Sequence, residues 1–143
     1  MSAEALFSLA SALVLPGWGL LLFAPRWRFT ERVLGSCALS LLLAGLYLGL
    51  LVTFFGRAEG GFGSLADVAR LFQNPYLLLA GWIHYLAFDL FIGAWETRDA
   101  RRLGIPHLLV APCLVLTFLF GPVGLLAYFV LRFALRRQLF VTE

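Results

Sequence analysis

The stretch NPYLLLAGWIHYLAFDLFIGAWETRDA, residues 74–100, decides how this chain folds. It opens with Asn74 and Pro75, which favour the cap and the first turn of a helix. The run that follows is apolar for about 20 positions, the length that an α-helix needs to cross a bilayer. Its strongly polar members are His84 and Asp89. The stretch therefore predicts a membrane-spanning helix with a carboxyl group near its middle.

Composition extends this prediction to the whole chain. Of the 143 residues, 62% are hydrophobic and 13% are charged, whereas soluble domains are about half apolar and a quarter charged. Four long apolar runs occur, and none alternates apolar with polar residues as barrel strands do. We predict an all-α protein of one domain, residues 1–143. It is a bundle of four transmembrane helices, at about 5–24, 33–55, 75–97 and 106–132.

Local signals refine these bounds. The loop before residue 74 has glycines at 60, 61 and 63, and then Ser64 with Asp67 resembles a capping box. A short amphipathic segment is therefore expected between the second and third helices, on the membrane surface. The sequences LPGWG, residues 15–19, and FGPVG, residues 120–124, place proline beside glycine. They predict breaks inside the first and fourth helices.

The basic residues indicate contact with membrane lipid. All eleven are arginines and they cluster at helix ends, as interfacial anchors do, rather than on a basic face for nucleic acid. Four spans would place five arginines on one side and six on the other, which does not decide the orientation. The first run follows an acidic, not a basic, N-terminal stretch, so we expect a retained helix and not a signal peptide. The cysteines and histidines are too dispersed for a metal site.

A polar stripe distinguishes the third helix. At 100° per residue, Tyr85, Asp89 and Glu96 share one narrow face with Trp82 and Gly93. Asp89 lies only about 4.5 Å from the midplane of a straight span. An ionised carboxylate at that depth costs at least several kcal/mol unless it is paired or wetted. Asp89 is therefore expected to be protonated, hydrogen-bonded inside the bundle, or facing a polar cavity. Its candidate partners are Tyr85, Ser36, Ser40, Tyr47 and Thr117.

This stripe is the predicted site. Asp89 is the candidate proton donor, assisted by Tyr85 or His84, although His84 points to the opposite face of the helix. Candidates for contact with an apolar substrate are Trp82, Phe88, Trp95 and Glu96. Two other readings remain open. His84 also suits a neutral core position, and Glu96, Arg98 and Asp99 also suit solvated charges at a helix end.

Residues 82–100, preceded by Asn74-Pro75 and followed by FGPVGLLAY at 120–128, resemble the neoxanthin-synthase-like membrane family, first named for an abscisic-acid-deficient plant mutant. The resemblance covers the layout of all four predicted helices and is sharpest from residue 74 to about residue 132. Plant members of that family are chloroplast membrane proteins required to make neoxanthin, an allenic xanthophyll, from violaxanthin. The arginine-only basic content and compact length suggest a bacterial relative, in the inner membrane.

The resemblance implies a small membrane protein that acts on, or holds, a carotenoid-like isoprenoid lipid. One interpretation is a cofactor-independent isomerase, because opening an epoxide to an allene requires an acid and a base but no redox cofactor. The alternative is a non-catalytic carotenoid- or lipid-binding subunit of a larger membrane complex, such as a photosynthetic one. With so few helices to enclose a site, homo-oligomers or partner helices are also expected.

Overall fold

The structure is a computed structural model that describes residues 1–35 and 37–137. Its regular elements in this part of the chain are helical, and the all-α prediction is confirmed. The helices are α1 (Ala3–Phe23), α2 (Arg28–Val33), α3 (Ala38–Phe54), α4 (Leu65–Leu71), α5 (Pro75–Arg102), α6 (His107–Phe120) and α7 (Pro122–Arg136). A single 3-10 turn, Phe55–Arg57, follows α3.

The helix starts that the sequence marks most clearly are the ones observed. The Asn74 side chain accepts hydrogen bonds from the backbone N–H groups of Tyr76 and Leu77, at 3.0 and 3.4 Å. The Ser64 hydroxyl accepts from the backbone N–H of Asp67 at 3.1 Å and begins α4, the short segment expected between the second and third long helices. These side chains satisfy N–H groups that have no partner within the helix.

Among the described residues, three segments are long and apolar enough to cross a membrane: α1, the segment 28–57 that contains α3, and α5. Both α1 and α3 pack along α5. The start of α1 lies beside the start of α5, where the Tyr76 hydroxyl donates to the Met1 carbonyl at 3.4 Å. The start of α3 lies near the opposite end of α5, where Arg98 donates to the Gly35 carbonyl at 3.0 Å. α3 therefore runs antiparallel to α1 and α5, and α1 and α5 run parallel to each other.

The fourth predicted span, 106–132, is not one crossing helix. α6 ends at Phe120, and α7 returns towards the side from which α6 came. His107 at the start of α6 contacts the Leu22 carbonyl at 2.9 Å, and Arg136 at the end of α7 donates to the Gly104 carbonyl at 2.7 Å. Each helix is only about 21–23 Å long, less than the hydrocarbon core of roughly 30 Å. The two form a re-entrant hairpin beside the second half of α5.

Two glycines permit the sharp reversal. Gly121 adopts φ +47°, a left-handed backbone conformation that favours glycine. Gly124 packs directly on the backbone of Thr117, leaving no space for a β-carbon between α6 and α7. Proline at 122 starts α7, where its missing N–H group leaves no unmade bond. We expected Pro122 to kink a continuous helix, and it instead begins a new one.

Three other boundaries differ from the predictions. α1 passes through Pro16 without a break, so the predicted interruption at 15–19 is wrong. α5 continues to Arg102, five residues past the predicted end, because its last two turns carry buried polar contacts. The second span is preceded by the separate short helix α2, and α3 begins at Ala38. Ser36, a candidate partner of Asp89, lies outside the described residues.

The hairpin changes the membrane topology. Residue 137 lies at the same end of the molecule as residues 24–35 and 103–106, while residues 1–2 and 55–74 lie at the other end. Of the eleven arginines, only Arg57 and Arg70 lie at that second end, and the remaining nine lie at or near the first. An asymmetry of this size predicts that the arginine-rich end faces the cytoplasm or its equivalent.

Cysteine labelling measures this topology. In a chain carrying Cys37→Ser and Cys113→Ala, we expect Arg26→Cys and Arg137→Cys to react with a membrane-impermeant maleimide from the same side. Glu59→Cys should react from the opposite side, because α1, α3 and α5 make three crossings. Labelling of Arg137→Cys together with Glu59→Cys would require a fourth crossing and contradict the re-entrant hairpin.

Candidate functional site

A lipid-facing bay lies between α1 and α5, in the half of the membrane that the hairpin does not reach. Its volume is about 590 Å³. The lining is almost entirely apolar and aromatic, and extends from Glu4 and Pro75 near one surface down to Tyr85. Trp82 stacks on Tyr85 with ring centroids 5.4 Å apart, and its indole N–H donates to the Ser11 hydroxyl at 3.1 Å. An apolar ligand can therefore enter sideways from the bilayer.

Asp89 lies beside the tip of the hairpin, just below this bay. Its side chain is buried, with the residue 9% exposed. A β-carbon added to Gly121 would lie 2.8 Å from Asp89 Oδ1, so the carboxyl group rests against the point where α6 turns into α7. In the described part of the chain, Asp89 Oδ2 has no hydrogen-bond partner, and no arginine forms an ion pair with this residue. Asp89 therefore presents a carboxyl group that no described arginine neutralises, and one of its oxygens has no hydrogen-bond partner among the described residues.

Tyr85 connects the bay to Asp89. The ring lines the bay, and the hydroxyl donates to the Phe118 carbonyl at 3.3 Å, one of the carbonyls left without a helical partner at the end of α6. The Asp89 carboxyl lies one helical turn further along the same face of α5, close enough to interact electrostatically with this hydroxyl. Asp89 and Tyr85 thus lie side by side, with the carboxyl group buried and the phenol at the surface of the bay.

Glu96, the next acid on the stripe, is enclosed by protein. It is fully buried, and the Thr117 hydroxyl lies 3.0 and 3.1 Å from its two carboxyl oxygens. Two helical turns, about 10.5 Å along the axis, separate it from Asp89. The reading of Glu96 as a solvated helix-end charge is wrong, because α6 covers this face of α5. Glu96 joins α5 to α6 and has no contact with the bay.

A third polar centre was missed by sequence reasoning. Asp99 is 5% exposed and accepts a 2.7 Å hydrogen bond from the Tyr128 hydroxyl. Arg132, fully buried, places Nε 2.9 Å from Asp99 Oδ2, and Arg102 lies 3.1 Å from Oδ1. The expectation that Asp99 is a solvated helix-end charge is therefore wrong. A signal was present, since Tyr128 and Arg132 are four residues apart and share one face of α7.

The remaining candidates do not gather at this site. His84 faces α3, with its ring stacked on Phe88 at 4.6 Å and near Tyr47 at 5.6 Å, so Tyr47 also lies away from Asp89. Trp95 packs against Tyr128 and Phe129 of α7. The face opposition of His84 and Asp89 is confirmed. Of the four substrate-contact candidates, Trp82 lines the bay, whereas Phe88, Trp95 and Glu96 do not.

The family model described as ABA DEFICIENT 4-like matches residues 5–128, which cover α1 to the middle of α7 and include every residue of the Asp89–Tyr85 pair and the hairpin tip. This chain belongs to the ABA DEFICIENT 4-like family. The resemblance to the neoxanthin-synthase-like proteins is thereby confirmed.

One curated relative is the protein ABA DEFICIENT 4, chloroplastic, of Arabidopsis thaliana, which is 27% identical over 146 residues. The match covers 95% of this chain and 64% of the relative, so the chain spans less than two thirds of that protein's length. No solved structure matches the chain. The expectation of a bacterial inner-membrane protein gains no support, because the relative is a plant chloroplast protein. A membrane location is supported by the apolar helices.

Proposed function

We propose that the protein binds a carotenoid-like isoprenoid lipid in the lipid-facing bay and isomerises it by proton transfer through Asp89 and Tyr85. The observation that carries this proposal is the Asp89 carboxyl group, which is buried beside the hairpin tip with one oxygen unpartnered in the described chain. Buried acids inside membrane spans are costly, and those that persist commonly serve ion, proton or substrate chemistry.

The proposed reaction needs no oxidant or reductant. One proton is delivered to an epoxide oxygen as a carbon–oxygen bond breaks, and one proton is removed from a polyene carbon as a new carbon–carbon double bond forms. The product is an isomer of the substrate. Tyr85 is the group in contact with the ligand, and it protonates the epoxide oxygen as Asp89 replaces its proton. The proton removed from the polyene carbon then passes to the Tyr85 hydroxyl as that hydroxyl gives its own proton back to the Asp89 carboxylate.

The shape of the bay supports an elongated apolar ligand. Phe7, Leu78 and Trp82 are all exposed on the outside of the helices, where they face acyl chains. One end group of a long polyene can therefore occupy the bay near Tyr85 while the chain lies along α1 and α5. The aromatic rings offer flat apolar contact, and the Ser11–Trp82 hydrogen bond fixes the indole in place.

The direct test is reconstitution. The purified protein is incorporated into vesicles with a 5,6-epoxy xanthophyll, and pigments are extracted and separated by chromatography. The proposal expects a product of unchanged mass and shifted absorbance, formed in proportion to protein. Bound pigment without any product would favour the non-catalytic reading, and neither binding nor product would reject both.

Tyr85→Phe tests the contact group. We expect turnover to fall about 100-fold, at the lower end of what a positioned acid or base contributes, because the ring remains while the proton-transferring hydroxyl is lost. Pigment binding should change little. The matched control is Tyr76→Phe, at the start of the same helix, where the hydroxyl donates to the Met1 carbonyl and the ring stacks on Phe54. Equal losses of turnover in both variants would show that the Tyr85 hydroxyl takes no part in the reaction.

A second function, a non-catalytic carotenoid- or lipid-binding subunit, has its own supporting observation. The Tyr85 hydroxyl and the Asp89 carboxyl both contact the turn of the hairpin, at the Phe118 carbonyl and at Gly121. In that reading the pair only stabilises the turn, and the bay holds a ligand for a larger complex. Pigment that co-purifies with the protein and never changes would favour it.

A further inference from the structure

A second cavity lies at the arginine-rich end of the molecule, whereas the bay lies towards the opposite end. This basic pocket has a volume of about 520 Å³ and lies between the end of α1, α2 and the last two turns of α5. Its floor is apolar and buried, formed by Leu21, Leu34 and Ala94. Its rim carries the guanidinium groups of Arg98, Arg101 and Arg102.

The depth of the pocket matches the headgroup region. α5 has 28 residues and is therefore about 42 Å long, which exceeds a hydrocarbon core of roughly 30 Å. Its last two turns, which carry the three arginines, emerge among lipid headgroups if the apolar part of α5 is centred in the bilayer. The floor of the pocket then lies at the level of the first acyl carbons. The same cavity therefore offers charged groups to a lipid headgroup and apolar groups to the start of its acyl chain.

The arginines are not fully neutralised by the described chain. Arg101 pairs with Glu31 at 2.6 Å, and Arg102 and Arg132 share the single carboxylate of Asp99. Arg98 donates to a neutral backbone carbonyl and forms no ion pair with any described carboxylate. The three rim guanidinium groups thus meet only the carboxylates of Glu31 and Asp99, and Asp99 is shared with Arg132, so positive charge remains in excess at the rim.

We propose that the basic pocket binds the phosphate of an anionic phospholipid, with Arg98 as its principal contact and the first part of an acyl chain on the apolar floor. Planar guanidinium groups recognise phosphate oxygens through paired N–H donors. Basic pockets beside transmembrane helices on the positive side commonly hold anionic headgroups. This site is separate from the bay, so it does not depend on the proposed isomerisation.

Native mass spectrometry of the full chain in detergent tests the site, with titrations of phosphatidylglycerol and phosphatidylcholine. We expect at least a tenfold preference for phosphatidylglycerol, and a loss of about tenfold in its affinity for Arg98→Gln. The matched control is Arg57→Gln, an exposed arginine at the opposite end of the molecule. Equal losses for the two variants would mean that only the general positive charge attracts lipid, and would overturn the proposal.

Glu31→Gln provides a test that misfolding cannot imitate. It releases Arg101 from its ion pair, so the affinity for phosphatidylglycerol should rise severalfold. An unchanged or lower affinity in this variant would count against the site. Inorganic phosphate is the third probe, and millimolar amounts should leave the lipid bound, because the floor contributes to affinity. Displacement by inorganic phosphate alone would overturn the lipid assignment in favour of a free-phosphate site.

Discussion

Replacing Arg132 with methionine is expected to lower the free energy of unfolding by about 3–5 kcal/mol, the usual effect of removing one partner of a buried ion pair. Arg132 is fully buried and lies 2.9 Å from Asp99 Oδ2. The substitution leaves the Asp99 carboxylate with Tyr128 and with Arg102, whose side chain is 41% exposed. Tryptophan fluorescence during detergent-induced unfolding provides the measurement.

The double variant separates charge from packing. Adding Asp99→Asn to Arg132→Met removes the buried carboxylate that has lost its arginine partner. Part of the lost free energy of unfolding should therefore be recovered. Arg70→Met is the control, since Arg70 forms a long 4.0 Å pair with Asp67 and its side chain is 63% exposed. An exposed pair of that kind contributes about 0–1 kcal/mol. If Arg132→Met were no more harmful than Arg70→Met, the ion pair would not be what holds α7 against α5.

Much of the helical framework follows from local chemistry. Asn74 and Ser64 begin their helices in the structure because a side-chain oxygen followed by free N–H groups is the same signal in any context. The burial of Asp89 also follows from periodicity, since a residue on the same face as Tyr85 and Gly93 must point where α5 packs. These inferences use only neighbours along one helix.

The hairpin of α6 and α7 could not be predicted from such local signals. Proline beside glycine shows that a helix is interrupted, but it does not give the angle at which the chain continues. A run of about 27 apolar residues satisfies the length of one tilted span, and equally satisfies two half-length helices. The deciding contacts are those of Arg132 and Arg136 with Asp99 and Gly104, which join residues more than 30 positions apart. Only the folded arrangement brings them together.

The same long-range packing sets the environment of the acid. Without the hairpin, Asp89 would face lipid or a fourth continuous helix. With it, the carboxyl group rests on Gly121, where φ +47° and the lack of space both require glycine. The turn also leaves the upper part of α1 and α5 uncovered, which creates the bay above Tyr85. The pair and the bay therefore have one structural cause.

Asp89→Asn should lower turnover of an epoxy xanthophyll by about 100-fold or more, within the range for loss of a general acid or base. The amide has nearly the shape of the carboxyl group and retains an oxygen for contact with Tyr85, but it cannot release and recover a proton. Pigment binding should stay within about threefold, because Asp89 lies behind the lining of the bay and contributes no apolar surface to it. Single-turnover product formation and bound-pigment absorbance measure the two quantities separately.

Glu96→Gln is the matched control for this substitution. It makes the same carboxyl-to-amide change two turns along α5, at a group enclosed by Thr117 and away from the bay. It should cost about 1 kcal/mol of stability, the usual value for altering one hydrogen bond, and leave turnover per folded molecule nearly unchanged. If Asp89→Asn instead keeps full turnover, proton transfer does not pass through this acid. If only its stability falls, the carboxyl group serves the hairpin turn and the protein is better described as a pigment- or lipid-binding subunit.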